Sequence, residues 1–292
     1  MSRKVYVSIF ITLLFVQGCA GVDVNPPLSQ DSDIILSQKE FAELSMKASR
    51  LWAKRYDPGS LEAFTHVNES ISRSPDATQN DLILEARAFL LLGEYFSRSP
   101  YEHQNNWHSA TLWAEKALAF NSRFRELRMN KTTPLERTLD VLQANDAGAL
   151  YWLAASLYAQ VANSDSDSEL ETKALIKKMM DRVATLNPKY FYGAVYRFYG
   201  VYYALLPGAV GENLMKSREN FEVAIKYFPE FFENHVSYAQ YYAAKAKDSA
   251  LFKRELQLTI QTHAYLKREI FPEQLLEQNQ AKILLSKGVS TP

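Results

Sequence analysis

The part of the chain richest in potential chemistry lies between residues 190 and 242. Tyr190, Phe191, Tyr192, Tyr196, Phe198, Tyr199, Tyr202, Tyr203, Phe228, Phe231, Phe232, Tyr238, Tyr241 and Tyr242 crowd this window around Arg197. A hollow with apolar walls and a few hydroxyl groups suits a small organic ligand, and an arginine can hold a ligand carboxylate in a forked contact. The same rings also suit a packed core, although a buried tyrosine hydroxyl then needs a partner. Arg197 equally suits a structural salt bridge. Tyr196, Arg197, Tyr203, Asn213 and Tyr238 are taken as candidate ligand- or partner-binding residues.

Other chemistries find less support. His66, His103, His108, His235 and His263 form no HExxH pair, and one cysteine cannot build a thiolate metal site. His103 and His108 flank Trp107, where surface or capping roles are commoner than metal binding. The acidic run Asn163 to Ser168 lacks the glycine and spaced glutamate of a calcium loop. GxSxG, Walker and GxGxxG motifs do not occur. No catalytic residue, metal or cofactor is therefore assigned, and the chain is read as a non-enzyme. A glycosidase needs only two carboxylates, so a cell-wall-acting enzyme stays as a third reading. Lys plus Arg and Asp plus Glu are both 33. This balance gives no chain-wide reason to expect nucleic acid.

These residues must be positioned by helices. No run of alternating β-branched residues suggests a sheet. Prolines punctuate periodic segments that come in pairs: 38–54 with 60–72, 81–96 with 107–120, 148–162 with 170–186, 192–205 with 214–227, and 233–245 with 249–268. A last helix, 273–286, follows. Pairs of about forty residues indicate an all-α solenoid of about five helical hairpins plus a C-terminal helix. The second helices carry small residues on one face, as in Ala110, Ala114 and Ala117, which lets a neighbour approach closely. Gly193, Arg197, Gly200 and Ala204 recur at helical spacing on one side. Glycine inside a helix costs about 1 kcal/mol relative to alanine, so close packing is expected there. Long hairpin loops are expected at 97–106, 163–169 and 206–213.

The N-terminus reads as an export signal. Arg3 and Lys4 precede an apolar run, Val5 to Val16, and Gly18 precedes Cys19. This resembles the bacterial lipoprotein signal. It implies a signal peptide over 1–18, lipidation of Cys19 and a membrane anchor made of acyl chains alone. Residues 19–34 read as a flexible tether and 35–292 as the helical domain. Ala20 after the cysteine, by analogy with lipoprotein sorting, favours the periplasmic side of the outer membrane.

The endings Leu186-Asn187-Pro188 and Phe228-Pro229 resemble the tetratricopeptide repeat. A longer string covers Gly193, Arg197, Gly200, Tyr203, Pro207, Gly211-Glu212-Asn213, Lys216-Ser217 and Tyr238-Ala239. That string resembles the T-component (TatT) family of TRAP transporters (tripartite ATP-independent periplasmic transporters). The resemblance implies a TPR-like lipoprotein scaffold that docks the transporter's periplasmic solute-binding protein. It further implies a ring-like homo-oligomer, and a pore or cavity passing a small organic acid or hydrophobic ligand. A general envelope adaptor, holding an assembly partner on the solenoid's concave surface, is the alternative.

Overall fold

The computed structural model describes residues 34–129, 133–162, 167–206 and 211–288. The signal peptide, Cys19 and most of the tether lie outside the described residues, as do parts of the expected loops at 163–169 and 206–213.

Among the described residues every regular element is helical. The order is α1 (Gln38–Trp52), α2 (Pro58–Ser72), α3 (Gln79–Leu91), α4 (Pro100–Leu118), α5 (Ser122–Met129), α6 (Ala147–Val161) and α7 (Asp167–Leu186). Then come α8 (Tyr190–Leu205), α9 (Glu212–Tyr227), α10 (Phe232–Ser237), α11 (Ser249–Gln261) and α12 (Phe271–Lys287). Starts are written in the sequence. Ser37 and Glu40 form a reciprocal capping box, as do Thr78 and Asp81. Asp57 and Ser99 cap helices whose first residue is proline, where the missing amide costs nothing. Pro100 therefore opens a helix inside the expected 97–106 loop, and α4 begins well before Trp107. At the other end, α11 stops at Gln261 rather than Arg268; two short 3-10 turns, Ala264–Leu266 and Arg268–Ile270, follow it.

Consecutive helices pack as hairpins: α1 with α2, α3 with α4, α6 with α7, α8 with α9, and α11 with both α10's continuation and α12. The small-residue faces do what small residues permit. Ala110, Ala114 and Ala117 are completely buried, as is Ala224. At Gly200 an added Cβ would stand 2.7 Å from the Phe221 ring, so the glycine allows α9 to close on α8. At Gly93 the same atom would stand 2.4 Å from the Trp107 ring. Gly193 plays a different part. Phe191, Tyr192 and Gly193 all have positive φ (41°, 55° and 78°), so the regular spiral of α8 begins only after Gly193. Left-handed backbone is costly for bulky residues and persists where surrounding packing enforces it. Here the rings of Tyr192 and Phe231 stack with centroids 4.8 Å apart, and Phe191 packs on Trp152.

The last helix crosses the array. Glu273 on α12 accepts from Arg55 Nε at 2.7 Å, from Arg55 Nη2 at 2.6 Å and from Arg87 Nη2 at 3.2 Å. Glu277, one turn on, accepts the Tyr95 hydroxyl. Gln274 accepts from the Phe232 amide at 3.0 Å and donates to the Glu230 carbonyl at 2.6 Å. The C-terminal helix thus ties the turn after α1 and the α3 segment to α10.

Candidate functional site

The C-terminal helix does not fill the space beneath it. A cavity of about 400 Å³ remains between α3, α6, α8, α10 and α12. The first helix of each hairpin supplies most of the wall: Arg87 and Leu91 from α3, Tyr151, Trp152 and Tyr158 from α6, Arg197 and Val201 from α8, Glu233 and Val236 from α10. Helix α12 adds Glu273, Glu277 and Gln280. Two departures from α-helical winding shape it. Leu92–Phe96 and Tyr238–Ala243 are π-helical continuations of α3 and α10. They place Glu94 and Tyr95, and Gln240 and Tyr241, on the cavity wall. Such π segments widen the turn at the expense of regular hydrogen bonding and recur at functional sites.

The wall carries both charged and apolar residues. The Arg87 guanidinium lies 5.0 Å from the Trp52 ring, 5.0 Å from Trp152 and 4.8 Å from Phe191. Burial pulls its pKa down, while Glu273 supports the charge. Trp152 Nε1 donates to the Tyr190 hydroxyl at 2.9 Å. Ala155, Tyr158, Ala159, Phe198, Val201 and Leu205 make up the apolar side.

Arg197 is 3% exposed. Its Nε donates to Glu233 Oε1 at 2.7 Å and its Nη1 to Asn234 Oδ1 at 2.8 Å. Its Cζ lies 5.1 Å from the Phe231 ring. Burial works against the charge, but Glu233 holds the pKa above its ordinary value. Of the two roles open to Arg197 in the sequence, the salt bridge is the one these bonds describe. Asn234 in turn donates to the Tyr192 and Phe228 carbonyls, each at 3.2 Å, which fixes the left-handed turn.

The acidic residues of the wall are not all matched. Glu94 faces the cavity and, alone among them, makes no hydrogen bond or ion pair with any described residue. Glu94 keeps exposed surface, and the protein packed around it, then the neighbouring Glu233 charge, shift its carboxyl upward. Glu277 is raised well above the carboxylate range by burial, then by Glu233. Burial raises the hydroxyl pKa of Tyr95, Tyr151 and Tyr241 as well. Near neutral pH this end of the cavity holds protons that an ordinary glutamate has lost. Among the described residues no set of three or more His, Cys, Asp or Glu converges closely enough to hold a metal ion.

Of the five sequence candidates, the structure brings Arg197 alone to this wall. Tyr196 pairs with the half-exposed Tyr227, with ring centroids 6.2 Å apart. Tyr203 packs beside Tyr199 and Tyr202 and under the Lys216 ammonium. Asn213 sits in the first turn of α9. Tyr238 is buried against Phe221, its hydroxyl 3.3 Å from Glu222. The tyrosines that wall the hollow are instead Tyr95, Tyr151, Tyr158 and Tyr241. Sequence reasoning also missed Arg87, Glu94, Glu273 and Glu277. Their signal was present: Arg87 and Glu94 are seven apart, Glu273 and Glu277 four apart, so each pair shares a helix face with apolar neighbours.

Comparisons with known proteins agree with this architecture. A protein of Treponema pallidum (strain Nichols) described as an uncharacterized protein is 26% identical over 218 residues, covering 70% of this chain. The chain spans 66% of that relative's length, just under two thirds. A family model described as "TRAP transporter T-component" matches residues 105–290, which include α6 to α12 and most of the cavity wall. The chain belongs to the TRAP transporter T-component family.

Proposed function

We propose that this chain is the docking scaffold for the periplasmic solute-binding subunit of a TRAP-type transporter, and that its cavity receives a small organic ligand during uptake. The observation that carries the reading is the partly open, amphipathic cavity lined mostly by the family-matched part of the chain. A volume of about 400 Å³ suits a small organic molecule. The wall combines charged groups with hydrocarbon, as in sites that orient a ligand. Lipidation at Cys19 would hold the scaffold on the periplasmic face of the outer membrane, where a soluble binding subunit can reach it. Among the described residues no helix is long and apolar enough to cross a membrane.

A general assembly adaptor that grips partners on the concave surface has less support, because the N-terminal half of α12 is itself bonded to Arg55, Tyr95 and Phe232 across the array. The experiment is affinity capture of the native lipidated chain from envelope extract, followed by mass spectrometry. The reading expects a TRAP solute-binding subunit among the stoichiometric partners. Capture of secretion or assembly factors without any solute-binding protein would favour the adaptor instead.

A further inference from the structure

We propose that the cavity accepts a small organic cation, a protonated amine with an apolar body, whose ammonium group sits between Glu94 and Glu233. The inference rests on the reading of the cavity as a ligand site and names the class of ligand.

Three observations lead to it. First, carboxyls outnumber guanidiniums. Glu94, Glu233, Glu273 and Glu277 line the space against Arg87 and Arg197, and Arg55 stands behind Glu273. Glu277 is kept protonated by burial, and Glu233 and Glu273 are matched by the arginines, so Glu94 is the acid left without a cation on it. Secondly, the two arginines on the wall are already engaged. Arg197 is held by Glu233 and Asn234, and Arg87 by Glu273 and three rings. The atom Arg197 Nη2, which makes no hydrogen bond, is itself sealed from the cavity space. An anionic ligand thus finds no free fork. The accessible acids are Glu94, which has no partner among the described residues, and Glu233, whose side chain is 32% exposed with one oxygen on Arg197. Thirdly, Tyr95 and Tyr241 stand near both acids, and Trp107 and Tyr158 add further rings to the cavity wall. Aromatic faces attract cations. The carboxyls are too dispersed for a metal ion, which leaves a larger cation.

Occupancy then exchanges one positive charge for another. In the empty cavity the protein around Glu94 and the neighbouring Glu233 charge favour its protonated form. The groups around it are Tyr95 on its own segment, Arg197 on α8, Glu233 and Tyr241 on α10 and its continuation, and Glu277 on α12. An entering ammonium favours the ionised carboxylate, so the proton leaves as the amine binds. Affinity rises with pH until Glu94 is ionised without help.

The test uses the full-length chain in detergent and three matched probes: 4-phenylbutylamine, 4-phenylbutanol and 5-phenylvalerate. Calorimetric titration is run at about pH 6 and about pH 8, in buffers of differing ionisation enthalpy. The amine is expected to bind at least about tenfold more tightly than the alcohol or the carboxylate, with proton release at the lower pH. Glu94→Gln is expected to abolish both the preference and the proton release while leaving thermal unfolding cooperative. Tighter binding of the carboxylate, or equal binding of alcohol and amine, would overturn the charge assignment yet keep the cavity as a ligand site. No binding of any probe would overturn the ligand site itself.

Discussion

Replacing Glu273 with alanine should loosen the whole array, although the residue lies near the chain's C-terminal end. Its carboxylate is 8% exposed and is shared by two guanidiniums that are themselves almost sealed from water, Arg55 at 4% and Arg87 at 16%. Removing it leaves Arg55 with two carbonyl partners, those of Trp52 and Glu269. Arg87 keeps only ring faces. Breaking a buried pair by deleting one partner typically costs about 3–5 kcal/mol, because the remaining charge stays buried without compensation. For a domain of this size each 1 kcal/mol moves the unfolding midpoint by about 2–4 °C. The expected fall for Glu273→Ala is on the order of 10 °C, measured by circular dichroism. Glu273→Gln, which keeps an acceptor oxygen but not the charge, should fall between it and the natural chain. Hydrogen exchange should show α12 losing protection before α6 and α7. A midpoint within about 2 °C of the natural chain would contradict this role for Glu273, since α12 would then be held by something other than the ion cluster.

Other outcomes follow from single contacts. Gly200→Ala should destabilise by about 1–2 kcal/mol in denaturant titration, because overpacking against the fully buried Phe221 exceeds the helix-propensity gain. Gly59→Ala, whose nearest foreign atom would be 3.7 Å away, should be neutral or stabilising by up to about 1 kcal/mol and serves as the control. Glu85 is completely buried, and burial pushes its carboxyl up to about 8 from 4.5, although Asn68 donates to one oxygen at 2.7 Å. The folded chain therefore keeps a proton that the unfolded chain loses. This group's contribution to stability is full below pH 4.5 and is lost as pH rises to about 8. Between those limits each pH unit removes about 1.4 kcal/mol. Glu85→Gln should accordingly raise stability at pH 8 by up to a few kcal/mol, and leave it nearly unchanged at pH 4.5. Urea unfolding at both pH values checks this, and equal effects at the two would count against it. Gly193→Ala should cost about 1–2 kcal/mol, since its φ of 78° disfavours a side chain and its Cβ would meet Phe228 at 3.1 Å.

The hairpins were legible because they are local. Capping residues, prolines and small-residue faces each act within a turn or two of where they stand. The prediction of close packing at Gly200 followed from spacing alone, and Phe221 fills that space. Pro100 misled because proline both ends helices and begins them; Ser99 before it was the deciding clue. The left-handed run at Phe191 and Tyr192 was not legible, since ring-bearing residues seldom adopt that backbone and only Asn234 and the stacked rings enforce it. The cavity wall was least visible. Arg55 and Glu273 are 218 residues apart, and nothing in local periodicity joins them. Interior charges such as Arg87 and Glu94 read as solvated helix faces until α12 is laid across them. Tyrosine density pointed to the right region but to the wrong rings, because Tyr199, Tyr202 and Tyr203 pack together at the margin and not on the wall.

Docking of the solute-binding subunit is the claim on which the proposed function stands. It is measured by titrating the purified full-length chain with the TRAP solute-binding protein of the same cell, followed by interferometry in dilute detergent. Saturable binding with Kd in the micromolar range or tighter is the predicted result, about −8 kcal/mol or stronger. Absence of saturable binding up to about 100-fold above that range, with the helical array verified as folded, would contradict it.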